Sequence, residues 1–110
     1  MQNLLDETIE KLKDYGKTLD DIVWFGNENF KIDKDIKDFL NVDYDNGYGG
    51  QEVACDLLLV GSDFWLERHE YDGSEWWEFK RLPNMPKNAI KNAKIIGDWS
   101  WCNLEEINNI

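Results

Sequence analysis

The stretch FWLERHEYDGSEWWEFKRL, residues 64–82, decides the fold, because two runs of alternating side chains flank the dipeptide Asp72-Gly73. Asp-Gly in this setting is typical of a two-residue type I′ turn, in which both turn residues take positive φ. Such a turn pairs Tyr71 with Ser74 and thereby fixes every other pair along the two strands. The sequence therefore predicts a β-hairpin whose two faces can be assigned residue by residue.

The two faces of this hairpin differ in chemistry. The predicted core side places Arg68 over Trp77 as a cation–π pair and carries Phe64, Leu66, Arg68 and Glu70 opposite Arg81, Phe79, Trp77 and Glu75. The reverse side carries Trp65, Glu67, His69 and Tyr71 opposite Lys80, Glu78, Trp76 and Ser74. A three-residue loop with a bulge would instead shift one strand by a residue and exchange its two faces.

The segments around the hairpin predict an α+β fold, with helices packed on one face of a single antiparallel sheet. The sheet comprises a β-meander over 57–82 and a strand over 21–26, and residues 94–99 are a further candidate strand. Asn3, Asp33 and Asn103 are the expected N-caps of three helices, of which the first ends at Gly16. No repeat or long linker interrupts the chain, so residues 1–110 are expected to form one domain.

Composition excludes several classes of protein. No apolar run is long enough to span a bilayer, and Met1 leads into a polar helix pattern instead of a signal peptide, so a cytoplasmic location is expected. Cys55 and Cys102 form no C-x-x-C motif, which argues against a zinc site or a disulfide framework. No phosphate-binding glycine motif and no recognisable nucleophile setting are present, and we expect neither an enzyme nor a cofactor.

The net charge of −11 is unevenly distributed along the chain. Residues 38–78 hold eleven acidic residues and a single base, whereas residues 79–94 hold five bases and no acid. Such an acidic region repels nucleic acid and anionic membranes, so neither is an expected partner. The natural complement is a basic protein surface.

One pair in the hairpin is unfavourable, because Glu67 lies directly opposite Glu78. Either nearby cations such as Lys80, Arg81 and the segment 87–94 screen the pair, or the two carboxylates are displayed to a partner with aromatic anchors beside them. The second reading predicts partner contacts from Asp43, Asp45, Glu52, Glu67, Glu70, Asp72, Glu75, Glu78, Trp65, Tyr71 and Trp76.

Two weaker patterns suggest metal binding. Residues 41–52 place oxygen-bearing side chains at EF-hand-like spacing and are a candidate Ca²⁺ loop, although Asn41 stands where an Asp is expected and Gly47 comes one residue late. Glu67, His69 and Glu78 are also a conceivable ligand set for a transition metal. Acidic surface loops and chance neighbours account for both patterns more simply, so no metal ligands are assigned.

The hairpin HEYDGSEWWEFK (69–80) and the loop YDNGYGGQEVA (44–54), in a small acidic chain, resemble accessory proteins of bacteriophages and mobile elements, anti-CRISPR proteins among them. The resemblance implies an inhibitor that acts in the cytoplasm of a bacterial host. It would occupy the nucleic-acid-binding surface of a defence protein such as a CRISPR effector, as a nucleic-acid mimic. The alternative is a self-associating scaffold protein whose Trp-rich face forms a homodimer.

Overall fold

The computed structural model describes residues 1–47, 49–97 and 103–109. These residues form six strands and three helices. In chain order they are β1 (Gln2–Asn3), α1 (Leu4–Asp14), β2 (Trp24–Gly26), α2 (Ile36–Leu40), β3 (Asp43–Tyr44), β4 (Leu58–Val60), β5 (Phe64–Tyr71), β6 (Ser74–Arg81) and α3 (Leu104–Ile107). The chain is thus α+β, as the sequence predicts.

The strands form two antiparallel sheets instead of the single sheet expected from the sequence. The larger sheet has the order β2-β4-β5-β6, and its last three strands are the predicted meander. The smaller sheet pairs β1 with β3, so that Gln2 lies opposite Tyr44. Each strand of this smaller sheet has two residues, too few for an alternating pattern to reveal it.

The predicted hairpin register is confirmed. Tyr71 pairs with Ser74, and Asp72 and Gly73 have φ values of 52° and 85°, as a type I′ turn requires. Glu67 therefore lies opposite Glu78, and His69 opposite Trp76. The alternative with a slipped strand is excluded.

One face of the larger sheet, here called the inner face, carries the core. Leu59, Phe64, Leu66 and Trp77 are buried on it. Helix α1 begins at Asn3, whose side chain accepts the Asp6 backbone N–H at 3.0 Å, and packs on this face, where the Trp77 indole donates to Thr8 at 2.9 Å. Helix α2 packs on the same face through Phe39, whose ring lies 5.0 Å from that of Phe25.

Two predicted boundaries are wrong by a few residues. The strand expected over 21–26 begins at Trp24, because residues 19–21 form a 3₁₀ turn in which Asp21 accepts the Thr18 backbone N–H at 2.8 Å. The N-cap expected at Asp33 lies at Asp35, whose carboxylate accepts the Asp38 backbone N–H at 3.1 Å. In both places a local side-chain acceptor decides where the regular element starts.

The chain after the hairpin leaves the body of the molecule. All residues from Leu82 to Ile96 are exposed, and residues 94–97 form no strand, while residues 98 and 99 of that candidate strand lie outside the described residues. Asn103 caps α3, as predicted, by accepting the Glu106 backbone N–H at 2.8 Å. The Cα radius of gyration, 18.3 Å, exceeds the ~13 Å of a compact domain of this length.

Candidate partner-binding faces

The face of the larger sheet opposite α1 and α2 is here called the outer face. Strand pairing places on it Trp24, Leu58, Val60, Trp65, Glu67, His69, Tyr71, Ser74, Trp76, Glu78 and Lys80. None of these side chains is fully buried, and Tyr71 is 77% and Trp76 37% exposed. The outer face is therefore an accessible surface rich in aromatic rings, with an apolar part at β2 and β4 and two glutamates on β5 and β6.

Glu67 is held in place by its neighbours on the same strand. Its carboxylate accepts the Trp65 indole N–H at 2.7 Å and lies 2.7 Å from His69 Nε2. These hydrogen bonds, from Trp65 first and then His69, hold the pKa of Glu67 below its usual value, and Lys80 adds a weaker attraction. The repulsion expected between Glu67 and Glu78 is thus offset chiefly by donors on β5, with the screening cation Lys80 in a minor role.

The inner face near the hairpin turn holds a buried ion network. Arg68, whose side chain is fully buried, donates to Glu75 and to Glu7 of α1, both at 2.7 Å. It also donates to the Tyr44 hydroxyl at 3.2 Å and lies 4.8 Å from the Trp77 ring, which confirms the predicted cation–π pair. Burial alone would lower the pKa of Arg68, but the hydrogen bonds to Glu75, Tyr44 and Glu7 raise it above its ordinary value.

Tyr44 links this network to the smaller sheet. It is buried on β3, donates its hydroxyl proton to Glu7 and accepts from Arg68. Burial, followed by the hydrogen bond to Glu7, raises the pKa of Tyr44 to about 12. The neutral phenol is thus the form that the folded protein stabilises.

Glu75 is the one predicted contact residue that the structure withdraws from the surface. It is 2% exposed, and besides Arg68 its carboxylate accepts the backbone N–H groups of Glu52 at 2.7 Å and Val53 at 3.3 Å. The prediction that Glu75 meets a partner is wrong, because this carboxylate neutralises a buried guanidinium and fastens the loop before β4. Only the packing of α1 and the loop onto the hairpin reveals this role.

The remaining predicted residues separate into two groups. Trp65, Glu67, Tyr71, Trp76 and Glu78 share the outer face. The second group lies on the inner side or near the turn, because the loop that carries Asp45 and Glu52 packs there, and it comprises Asp43, Asp45, Glu52, Glu70 and Asp72. The Gly47 backbone N–H donates to Gly73 at 2.9 Å and joins that loop to the turn.

Side chains of both suggested metal sites are engaged in hydrogen bonds within the molecule. Both carboxylate oxygens of Glu67 are engaged, by Trp65 and His69. In the candidate calcium loop, Asp43 accepts from Asn3 at 2.9 Å and Glu52 accepts the Asp45 backbone N–H at 2.8 Å. Among the described residues, no three His, Cys, Asp or Glu side chains converge as metal ligands.

A cleft that the sequence does not reveal opens between the two sheets. Its volume is about 440 Å³, and it is lined mainly by apolar side chains, including Phe30, Phe39, Val42, Val53 and Leu57. Gly26 is required at its edge, because a Cβ there would lie 2.2 Å from the Phe30 carbonyl oxygen. Five separate segments build the cleft, which is why no sequence pattern signals it.

Comparison of the chain with family models, with curated proteins and with solved structures finds no match. The helices of the described residues include none with the length and apolar character needed to cross a membrane.

Proposed function

We propose that this chain is a binding protein whose outer face engages a basic surface of a nucleic-acid-binding protein, in the place where nucleic acid would bind. A CRISPR effector of the bacterial host is the kind of target that the resemblance to anti-CRISPR proteins implies. The observation that carries the proposal is the outer face itself. Aromatic rings and two glutamates lie together there, and both helices in contact with the sheet lie on the other side.

The chemistry of the outer face suits a surface of arginines and lysines. Trp76 and Tyr71 present ring area against which guanidinium groups and aliphatic stems can pack. Glu67 is kept ionised by its hydrogen bonds, since its pKa is lowered, and Glu78 lies directly across the strand pair. Aromatic anchors beside carboxylates supply both contact area and charge complementarity.

The second group of acids extends the negative field around the hairpin turn. Glu70 and Asp72 are exposed there, beside the loop that carries Asp45. Nucleic-acid-binding surfaces carry clustered Lys and Arg spaced for a densely charged backbone, and closely spaced carboxylates can engage the same cluster. These acids contribute mainly to the rate of association, because exposed charges act at a distance of about a Debye length, ~8 Å at physiological salt.

The test is affinity capture from a bacterial lysate with two charge-matched variants beside the wild type. Glu67→Lys/Glu78→Lys reverses two charges on the outer face. Asp20→Lys/Asp33→Lys reverses two exposed charges that form no side-chain hydrogen bond among the described residues. Far-UV circular dichroism and thermal melting establish that each variant is folded.

The proposal expects a protein that the wild type and the Asp20/Asp33 variant retain equally and that the Glu67/Glu78 variant loses. Duplex DNA or RNA should displace this protein from the wild type, because both ligands use the same basic surface. Equal retention by all three chains, or a captured protein that nucleic acid does not displace, contradicts the proposal.

A second candidate function rests on the apolar part of the outer face. Trp24, Leu58 and Val60 adjoin Trp65 there, and homodimer interfaces are richer in apolar area than the rest of a protein surface. A scaffold protein could bury this part against its own copy. Light scattering combined with acrylamide quenching distinguishes this function from the binding of a basic partner. A scaffold should form a dimer that Trp65→Lys dissociates, and the tryptophan fluorescence of the dissociated chain should be quenched more strongly.

A further inference from the structure

The cleft between the two sheets combines an apolar interior with an acidic rim. Asp43, Glu52 and Asp56 line it, and its lining contains no basic residue. Each of these carboxylates accepts a hydrogen bond from an uncharged donor, Asn3, the Asp45 backbone and Asn27 respectively. None of the three forms a salt bridge with a described residue.

Two walls of the cleft are accessible from outside. Phe30 is 61% and Val42 48% exposed, and the volume of about 440 Å³ lies within the ~300–1,000 Å³ of ordinary ligand sites. An occupant that fits must carry apolar side chains, to fill the interior, and cationic groups, to meet the three carboxylates. A peptide segment that alternates lysines with aliphatic residues has both properties.

The chain itself contains such a segment. Residues 82–97, LPNMPKNAIKNAKIIG, hold three lysines and no acid, whereas residues 1–81 hold twenty acidic and nine basic residues. Met85, Ile95 and Ile96 are each more than 80% exposed, so the segment leaves its apolar side chains in water. The segment complements the cleft in both hydrophobicity and charge. Its apolar side chains match the apolar interior, and its lysines match rim carboxylates that form no salt bridge with a described residue.

We infer that the cleft binds residues 82–97 of a second copy of this chain. Each copy carries one cleft and one basic apolar segment, so two copies can fill each other's clefts around a two-fold axis and close the assembly. The extended shape of the molecule, in which this segment leaves the body, suits such an exchange. The inference concerns a different site from the outer face and stands or falls independently of the proposed function.

Zero-length carbodiimide cross-linking of the full chain tests the inference, because it joins a lysine only to a carboxylate in direct contact. Equal amounts of ¹⁵N-labelled and unlabelled chains are mixed, so that cross-links between copies are recognised by their mixed isotopes in mass spectrometry. The expected links join Lys87, Lys91 or Lys94 to Asp43, Glu52 or Asp56, carry mixed isotopes and occur in a dimer seen by light scattering.

Two variants separate the roles of charge and apolar contact. Asp43→Asn/Glu52→Gln/Asp56→Asn keeps every hydrogen-bond acceptor on the rim but removes its charge, and it should weaken the dimer at least about tenfold. The matched control Glu10→Gln/Asp20→Asn/Asp33→Asn should leave the dimer unchanged. Ile95→Ser/Ile96→Ser alters side chains that are exposed in the free chain, so the fold should persist while the dimer dissociates.

The inference is overturned if the chain is monomeric, or if the cross-links carry a single isotope, which would show that each cleft holds its own segment. It is also overturned if the lysines link to Glu67 or Glu78 on the outer face. An unchanged dimer in the Asp43/Glu52/Asp56 variant contradicts it as well.

Discussion

The two faces of the β5–β6 hairpin resolve the same electrostatic problem in different ways. On each face two glutamates lie directly opposite each other. They are Glu70 and Glu75 on the inner face, and Glu67 and Glu78 on the outer face. The inner face buries Glu75 against the guanidinium of Arg68, whereas the outer face holds Glu67 with an indole N–H and a histidine. The carboxylate of Glu75 is therefore neutralised inside the fold, whereas the carboxylate of Glu67 is hydrogen-bonded at the surface and remains accessible.

The largest effect should come from Arg68→Met, which leaves Glu7 and Glu75 without their shared cation. Removing one partner of a buried ion pair costs about 3–5 kcal/mol, because the remaining charge is desolvated and uncompensated. Urea unfolding followed by tryptophan fluorescence measures the loss. The control Arg81→Met removes an exposed guanidinium 5.7 Å from the Phe79 ring and should cost less than about 1 kcal/mol. Equal losses for the two variants would show that the inner face is not organised around Arg68.

Glu75→Gln should destabilise the protein by about 2 kcal/mol, because it removes the charge facing Arg68 and weakens two hydrogen bonds to the loop. Hydrogen exchange locates the effect. The backbone amides of Glu52 and Val53, which donate to Glu75, should exchange faster in the variant. Glu78→Gln on the outer face is the matched control and should leave both amides unchanged. If both amides exchange as slowly in the Glu75 variant as in the wild type, Glu75 does not hold this loop.

Tyr44→Phe should cost about 1–2 kcal/mol at neutral pH, because it removes the hydroxyl that joins Glu7 and Arg68. The wild type should also lose stability as the pH rises from 10 to 12. In the unfolded state the phenol has its ordinary pKa of 10.0, whereas in the folded state the pKa is raised to about 12. Unfolding measured across this range should show a shallower decline in the variant. Parallel declines in the wild type and the variant would contradict the raised pKa of Tyr44 in the folded protein.

The smallest effect is expected from Glu67→Gln, within about 1 kcal/mol at neutral pH, since the lost hydrogen bonds are offset by relief of the repulsion from Glu78. The pH dependence is the sharper readout. Because the pKa of Glu67 is lower in the folded state than its ordinary value of 4.5, this carboxylate stabilises the fold above pH 4.5, and the stabilisation is lost as the pH falls through the folded pKa. The variant should therefore lose less stability in this acidic range. A variant that follows the wild type there would show that Trp65 and His69 do not hold this carboxylate.

The difference between the two faces also explains how much the sequence could predict. Asp72-Gly73 specifies the hairpin register from two adjacent residues, and Arg68 over Trp77 follows from that register alone. The burial of Glu75 could not be predicted in this way. It depends on Glu7, which is distant in sequence, and on a loop that folds back over the hairpin. Contacts within one hairpin are local, whereas the network requires three segments to meet.

The same reasoning applies to the rest of the fold and to the cleft. Helix α1 was predictable, because its N-cap Asn3 and its stop signal Gly16 are local features of the sequence. The two-residue strands β1 and β3 pair residues that are far apart in sequence, Gln2 with Tyr44 and Asn3 with Asp43, so no local pattern signals them. The cleft depends in turn on this pairing, since Leu4, Val42 and Tyr44 line it.

Carboxyl footprinting with carbodiimide and glycine ethyl ester, in the free chain and with the captured partner bound, tests the separation of the two faces most directly. In the free chain, Glu78 and Glu70 should be modified and Glu75 should not. Binding should protect Glu67 and Glu78, while the exposed control acids Asp20 and Asp33 stay reactive. Modification of Glu75 in the folded free chain, or a bound partner that leaves Glu67 and Glu78 as reactive as before, would contradict the account.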